Sequence, residues 1–333
     1  MEIVFFHRNP KAGYSIYRGF EPMINSLKET DDVKEYFVPE YRANPLSLIK
    51  NIRFVYKNRT NKGVNHITGD IHYCMLGLVG VPSVLTIHDN YSVLTAKHGI
   101  LDKLLRAFLW IFLPTLISRK CVFITPTTKK EVMKYSVAKK VCVITHQAVE
   151  KDFCYTPTIF NSACPHILHM GTMPHKNLET TLKALEGFNC HLTVIQKMTE
   201  EQVALADSLK IQYRNVYNLT NDEILKEYVN CDIVVFPTLR EGLGAPIIEG
   251  QAVGRPVITT NKEPMSWVAG DGALLLNNPL DPEELRKAIM LLCHDEKKRA
   301  DLVNKGQKNI KRFSLEDIIR QYKLIYSEVT NNI

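Results

Sequence analysis

Two carboxylates, Glu241 and Glu249, are separated by seven residues within the segment Phe236 to Asn261, FPTLREGLGAPIIEGQAVGRPVITTN. Glu241 lies in a Gly-rich turn, Glu241-Gly242-Leu243-Gly244, and Glu249 lies on the helix expected to follow. Val234 to Phe236 read as a buried strand that delivers the turn, and Gly254-Arg255-Pro256 closes the helix before a strand at Val257 to Thr260. Strand, Gly turn and helix in that order present main-chain N–H groups and the positive end of a helix dipole to an anion. Glycines near that end let a ligand approach the main chain closely. Eight residues are slightly over two helical turns, so both carboxylates are expected to face one crevice. Carboxylates beside an anion are costly unless they accept hydrogen bonds, and sugar hydroxyls are suitable donors. The pattern points to a sugar attached to a nucleotide.

This segment resembles the E-x7-E signature of the retaining GT-B glycosyltransferases of family 4, the glycosyl transferases group 1. Ile167-Leu168-His169-Met170-Gly171-Thr172 with His175-Lys176-Asn177 resembles that family's strand, Gly-Thr turn and Lys-Asn helix start. Thr86-Ile87-His88-Asp89 resembles its first-domain His-Asp element, and Gln147-Ala148-Val149 with Phe153 resembles the approach to its linker. The matches run in order over roughly positions 84 to 280. One departure is the loop after the first strand, His7 to Gly13, where Gly13 stands alone and many members carry two glycines.

The resemblance implies an α/β chain of two Rossmann-like, doubly wound domains facing a cleft. An acceptor domain would cover 1–155, a donor nucleotide-sugar domain 156–313, and a last helix, 314–333, would cross back onto the first. The implied activity is retaining transfer of a sugar from a nucleotide diphosphate sugar to a hydroxyl of a glycan or lipid-linked acceptor, in surface polysaccharide or glycoconjugate assembly. It would need no metal and no cofactor, and the leaving phosphate oxygen would itself take the acceptor proton. Glu249 would accept from the ribose hydroxyls, and Glu241 would touch the transferred sugar and stabilise its developing positive charge. The N–H groups of Gly242, Leu243 and Gly244 would face sugar or diphosphate. Lys176 would neutralise the leaving diphosphate, and His88 would contact the donor sugar and the acceptor side. Gly13, Gly171, Thr172 and Asn177 complete the expected substrate contacts.

Each residue also has a plainer reading. Glu249 could be a solvated acid, but Ile247, Ile248, Ala252 and Val253 around it argue for a buried helix, where an unpaired acid is expensive. Glu241 could be a turn residue, and Lys176 an exposed loop lysine. A lysine at a helix start opposes the dipole unless an anion is present. Members often carry Arg before this Lys, where Thr172 or Met173 stands here, so either Lys176 carries more of the charge or Lys197 assists. His88 could be a satisfied strand-end histidine. His66-Ile-Thr-Gly-Asp70-Ile-His72 could bind metal, touch acceptor or merely shape a loop. Tyr217, expected to end a strand, could stack on the nucleotide base or lie in the core.

Short apolar runs alternating with helical patterns predict βαβ units and parallel sheets. Expected strands are Ile3–Phe6, Val33–Val38, Val64–Thr68, Val84–Ile87, Val122–Thr125 and Val141–Ile144, then His166–Met170, Leu192–Ile195, Asn215–Tyr217, Ile233–Phe236, Val257–Thr260 and Ala273–Leu276. Between the two sets, Glu150 to Pro165 reads as a linker. Helices are expected over Leu46 to Tyr56 and Lys129 to Tyr135, and from Asn177, Thr199, Asn221, Ala245 and Asp281. Asp281-Pro282-Glu283-Glu284 has a capping Asp followed by Pro, and Ser314-Leu-Glu-Asp reads as a capping box that opens the last helix. His88, Gly171 and Glu241 each follow a strand by one to five residues, which puts them at the carboxyl rims where open parallel sheets bind ligands.

With 45% hydrophobic and 23% charged residues over 333 positions, the chain reads as globular and large enough for two domains. Its net charge of +7 suits phosphorylated substrates or an anionic membrane face. The basic residues are scattered, which argues against nucleic acid. The eight cysteines form no C-x-x-C pair and read as reduced cytoplasmic thiols. Met1 to Phe6 reads as a first strand rather than a leader. Ala107 to Ile117 is the most apolar window, too short to span a bilayer. It reads as a buried helix, or as a basic amphipathic surface resting on anionic lipid with Lys97, His98, Lys103 and Arg106. An epimerase or phosphorylase could share the fold, and a non-catalytic nucleotide-sugar-binding subunit is the alternative from another class. A nicotinamide dehydrogenase is excluded by the lack of G-x-G-x-x-G after an early strand.

Overall fold

The structure, a computed structural model, describes residues 1–13, 15–88, 99–145, 148–149 and 151–331. Asp89, Lys97, His98 and Gln147 lie outside the described residues. The chain divides into two compact units, Met1–Ala148 with Ser314–Ile333, and Val149–Phe313.

In the first unit the described residues form one parallel sheet of β1 (Glu2–His7), β2 (Asp32–Phe37), β3 (Val64–Ile67), β4 (Ser83–Ile87), β5 (Lys120–Phe123) and β6 (Val141–Val143), ordered β2-β1-β3-β4-β5-β6. The inner strands are buried on both faces, with polar members such as Asn65, His66 and Thr86 among the apolar ones. One face packs on Ile111, Trp110 and the segment His72–Leu78. The other packs on Phe20, Met23 and Ile24 and on the helix Leu315–Thr330, which contributes Ile318, Tyr322, Ile325, Tyr326 and Val329.

The second unit repeats the arrangement with β7 (His166–Met170), β8 (His191–Ile195), β9 (Tyr213–Val216), β10 (Ile233–Phe236), β11 (Val257–Thr260) and β12 (Ala273–Leu276). The order is β12-β11-β10-β7-β8-β9, all parallel, which is the doubly wound order of the dinucleotide-binding fold.

Strand positions agree with the sequence pattern to within two residues, and the differences have local causes. β5 stops at Phe123 because Thr125 turns out to cap a helix: its hydroxyl accepts from the Thr128 N–H, and Pro126 opens Pro126–Val132. That helix was expected three residues later. β9 ends at Val216, so Tyr217 lies beyond the strand, half exposed, and not in the core. Only half of the expected box at Ser314 forms. Its side chain accepts from the Asp317 N–H, while the Asp317 carboxylate turns to Arg320 and Gln321. Full capping boxes occur instead at Thr199–Gln202 and Thr220–Glu223.

The apolar window is only partly buried. Ala107, Trp110 and Ile111 enter the core, while Phe108 is 46% and Leu116 59% exposed. Upstream, the helix Ile100–Ala107 leaves Ile100, Leu101, Leu104 and Leu105 uncovered. No helix among the described residues is long and apolar enough to cross a membrane.

Buried Arg255 binds together several chain ends in the second unit. Its guanidinium donates to the carbonyls of Tyr228 (3.1 Å), Val229 (2.7 Å), Val253 (3.2 Å) and Thr156 (2.8 Å). One cation thus sits at the negative ends of the helices Asn221–Asn230 and Ala245–Val253.

Candidate functional site

In the second unit β7 lies beside β10, and the chain winds outward from them in opposite directions. The carboxyl ends of such a strand pair open a crevice at the edge of the sheet. Two loops line it, Gly171 to Asn177 after β7 and Pro237 to Gly244 after β10. Lys176 Nζ on the first meets Glu241 Oε1 on the second at 2.6 Å, with their side chains 17% and 15% exposed. The ammonium also lies 4.9 Å from the Phe236 ring centroid. The anion that a lysine at this position demands is therefore Glu241.

Thr238, fully buried, places its Oγ1 2.8 Å from the same Oε1. That hydroxyl also lies 3.0 Å from the His175 carbonyl and 3.3 Å from that of Arg240. Lys176 and Thr238 thus converge on one carboxylate oxygen and set the plane of the group. Sequence reading missed Thr238, because a threonine after a strand looks like an ordinary turn residue.

Gly171 has a φ of 99°, and a Cβ there would fall 2.6 Å from Lys176 Cγ. Its N–H donates to Ile195 O at 3.0 Å. Thr172 Oγ1 donates to Lys197 O at 2.8 Å. The Asn177 carboxamide, at a φ of 61°, donates to Pro279 O at 2.6 Å and Pro237 O at 3.1 Å and accepts from Thr180. In this structure these side chains pin the rim loops to one another.

The helix Ala245–Val253 begins from Gly244, whose φ of 103° is left-handed and which offers no side-chain cap. At this end Pro246 carries no N–H and the Ile247 N–H donates to Gly244 O at 3.0 Å, so Ala245 supplies the first main-chain donor of the helix. Leu243 is buried in the core and anchors the turn, while Gly242 is exposed. Glu249, two turns on, is partly exposed amid a buried helix, and its Oε2 accepts from the Tyr228 hydroxyl at 2.6 Å.

The first unit has its own switch point between β1 and β3. His88, just beyond β4, places Nε2 2.6 Å from the Thr68 carbonyl. A carbonyl can only accept, so Nε2 carries the hydrogen. Gly69 makes the room, since a Cβ there would lie 2.4 Å from the His88 ring. Arg8 Nε donates to the Gly13 carbonyl at 2.9 Å, and its Nη1 pairs with Asp70 at 3.1 Å. Gly13, at a φ of 116°, covers that guanidinium. Arg8 and Asp70 were not anticipated as partners, being 62 positions apart.

His66 has a structural task. Its Nδ1 lies 2.8 Å from the Tyr326 hydroxyl and its Nε2 2.8 Å from Thr86 Oγ1, and burial holds its imidazolium pKa well below the usual value. His72 Nδ1 bonds the Trp110 carbonyl at 2.9 Å. Among the described residues no three His, Cys, Asp or Glu gather as metal ligands.

Residues 160–309 match the family model described as glycosyl transferases group 1. An uncharacterised glycosyltransferase of Methanocaldococcus jannaschii is 23% identical over 76% of this chain and 70% of its own length. CapM of Staphylococcus aureus, a capsular polysaccharide biosynthesis glycosyltransferase, is 31% identical over 43% of this chain and 39% of its own. The crystal structure of Anabaena HepE in complex with UDP and glucose superposes with a TM-score of 0.76 at 14% identity, covering 98% of this chain and 100% of that one. With two Rossmann-like units and the family model seated over its second, the chain is a GT-B-fold protein related to the glycosyl transferases group 1.

Proposed function

We propose that this protein is a retaining glycosyltransferase that moves a sugar from a nucleotide diphosphate sugar to a hydroxyl of a glycan or lipid-linked acceptor, at the cytoplasmic face of a surface-polysaccharide pathway. The observation that carries this reading is the Lys176–Glu241 pair at the switch point of the second sheet, beside a helix start without a side-chain cap. A cation and main-chain N–H groups in one crevice suit a diphosphate. The anchored carboxylate suits the sugar that the diphosphate carries. The UDP and glucose of HepE and the polysaccharide role of CapM support the same substrate class.

In the proposed reaction the anomeric carbon–phosphate oxygen bond breaks as the acceptor oxygen attacks from the same face. The acceptor proton passes to the leaving phosphate oxygen, so no separate base is required. Lys176 stabilises the charge growing on that oxygen, and Glu241 the positive charge growing on the sugar. Glu249 holds the ribose. The second unit takes the donor and the first, with His88, Gly13 and Arg8 at its rim, takes the acceptor.

Charge distribution supports a membrane-bound acceptor. The first unit holds 23 Lys and Arg against 14 Asp and Glu, whereas the second holds 19 against 21. The excess positive charge lies wholly on the unit that also exposes the apolar face of Ile100–Ala107.

The deciding experiment is calorimetry with UDP, GDP and their sugars, followed by turnover assays of Lys176→Ala. Binding of a nucleoside diphosphate with roughly 10²–10³-fold loss of kcat in the variant is the expected result. Absence of binding by every nucleotide would sink the reading.

A further inference from the structure

Tyr228 lies on the helix Asn221–Asn230 and is completely buried, yet its hydroxyl reaches Glu249 Oε2 at 2.6 Å. Two contacts immobilise the residue. Its ring meets Phe153 edge-on with centroids 5.7 Å apart, and its carbonyl accepts from Arg255 Nε at 3.1 Å. Burial, with the Glu249 carboxylate beside it, pushes the phenol pKa well above its usual value, so the hydroxyl keeps its hydrogen and donates it. A phenylalanine would fill the same space, so packing alone does not call for the hydroxyl.

We infer that Tyr228 is a positioning residue that fixes the Glu249 carboxylate for the vicinal hydroxyls of a ribose; this rests on the donor-binding reading above. A glutamate has three rotatable side-chain bonds, and two hydroxyls side by side are accepted together only if the plane of the carboxylate is set. Tyr228 sets it from the buried side. The same arrangement recurs at the other carboxylate, where Thr238 fixes Glu241 from beneath. In both cases a buried hydroxyl, Tyr228 on a helix and Thr238 in the loop after β10, orients an acid at the rim, so that the acid does not have to be ordered by the ligand.

The test compares affinities of UDP and GDP with those of their 2′-deoxy counterparts, by calorimetry, for the unaltered chain, Tyr228→Phe, Glu249→Gln and the double variant. The unaltered chain is expected to prefer the ribonucleotide, and Tyr228→Phe to reduce that preference roughly threefold to tenfold, the scale of one hydrogen bond. Affinity for the deoxynucleotide should stay unchanged. Glu249→Gln should abolish the preference, and adding Tyr228→Phe should then change nothing further, because the two residues act as one unit. A purely structural tyrosine would lower Tm without changing the ribose-to-deoxyribose ratio. An unchanged ratio in folded Tyr228→Phe overturns the inference. Should that variant fail to fold, Glu249→Asp draws the carboxylate away from an intact Tyr228, and a retained preference there overturns it equally. If Glu249→Gln itself keeps the preference, or no nucleotide binds, the donor reading has failed instead.

Discussion

Gly171 and Lys176 compete for one volume: a Cβ on the glycine would lie 2.6 Å from Cγ and 3.0 Å from Cδ of the lysine. The missing side chain lets the lysine stem cross the turn and carry its ammonium to Glu241. Gly171→Ala should therefore displace Lys176 and lower kcat by roughly 10- to 100-fold, short of the full loss in Lys176→Ala. Steady-state turnover of both single variants and the double checks this. The double should be no worse than Lys176→Ala alone, since both changes remove the same group.

The two ends of the E-x7-E segment should separate kinetically. Glu241→Gln is expected to lower kcat while UDP still binds normally, because its partner is the sugar as it gains charge. Thr238→Val, which removes the hydroxyl fixing that carboxylate, should follow with a loss of roughly tenfold. Equal weakening of bare UDP binding in both would show that Glu241 serves the nucleotide instead.

His169 makes the second unit sensitive to acid. It is fully buried in β7, with Nδ1 3.0 Å from Thr181 Oγ1. Burial lowers its imidazolium pKa from 6.5 to about 3. The unfolded chain takes up the proton as pH falls through about 6.5, and the folded chain does so only near 3. Between those values the unfolded state binds more protons, so stability is full above 6.5 and falls with acid, by roughly 2 kcal/mol at pH 5. Urea midpoints of His169→Gln should depend less on pH over this window. Equal slopes would mean that His169 protonates normally in the folded chain.

Removing the Arg255 guanidinium leaves several buried carbonyls without donors at once. Arg255→Met keeps most of the volume and should still destabilise by roughly 3–5 kcal/mol, read from denaturant unfolding. A shift under 1 kcal/mol would imply that water replaces the cation.

Vesicle flotation checks the basic first unit. The protein should float with vesicles containing about a third phosphatidylglycerol and remain below with pure phosphatidylcholine. Leu101→Gln with Leu104→Gln should reduce recovery several-fold. Equal recovery on both vesicle types would argue against anionic lipid as the partner.

The sequence revealed what chain-local physics determines. Most strands were visible as short runs rich in apolar residues between turn residues, and the Glu241 turn was visible because its glycines lie between one such run and a helical pattern. The helix at Pro126 was misplaced although Thr125-Pro126 announces it, since the apolar pattern starts later. The contacts that assemble the rims were out of reach. Lys176 finds Glu241 across 65 positions, and Arg8 finds Asp70 across 62. Tyr228 was hidden for another reason: on the helix pattern it is simply one more core position. Arg255 read as a helix terminator, and nothing local distinguishes a terminator from a cation that caps two helices.

The last helix has a consequence for how the chain is made. A ribosome releases residues 1–148 long before Leu315–Thr330, yet that helix supplies Tyr322 and Tyr326 to the core of the first unit and closes over His66 and Thr86. Nascent chains ordinarily complete their amino-terminal domain first. Here the second unit, contiguous from Val149 to Phe313, is complete while the first still lacks one wall. The unit begun first is therefore finished last, and until then its sheet presents Phe5, Val84 and Val122 to the surroundings of the ribosome.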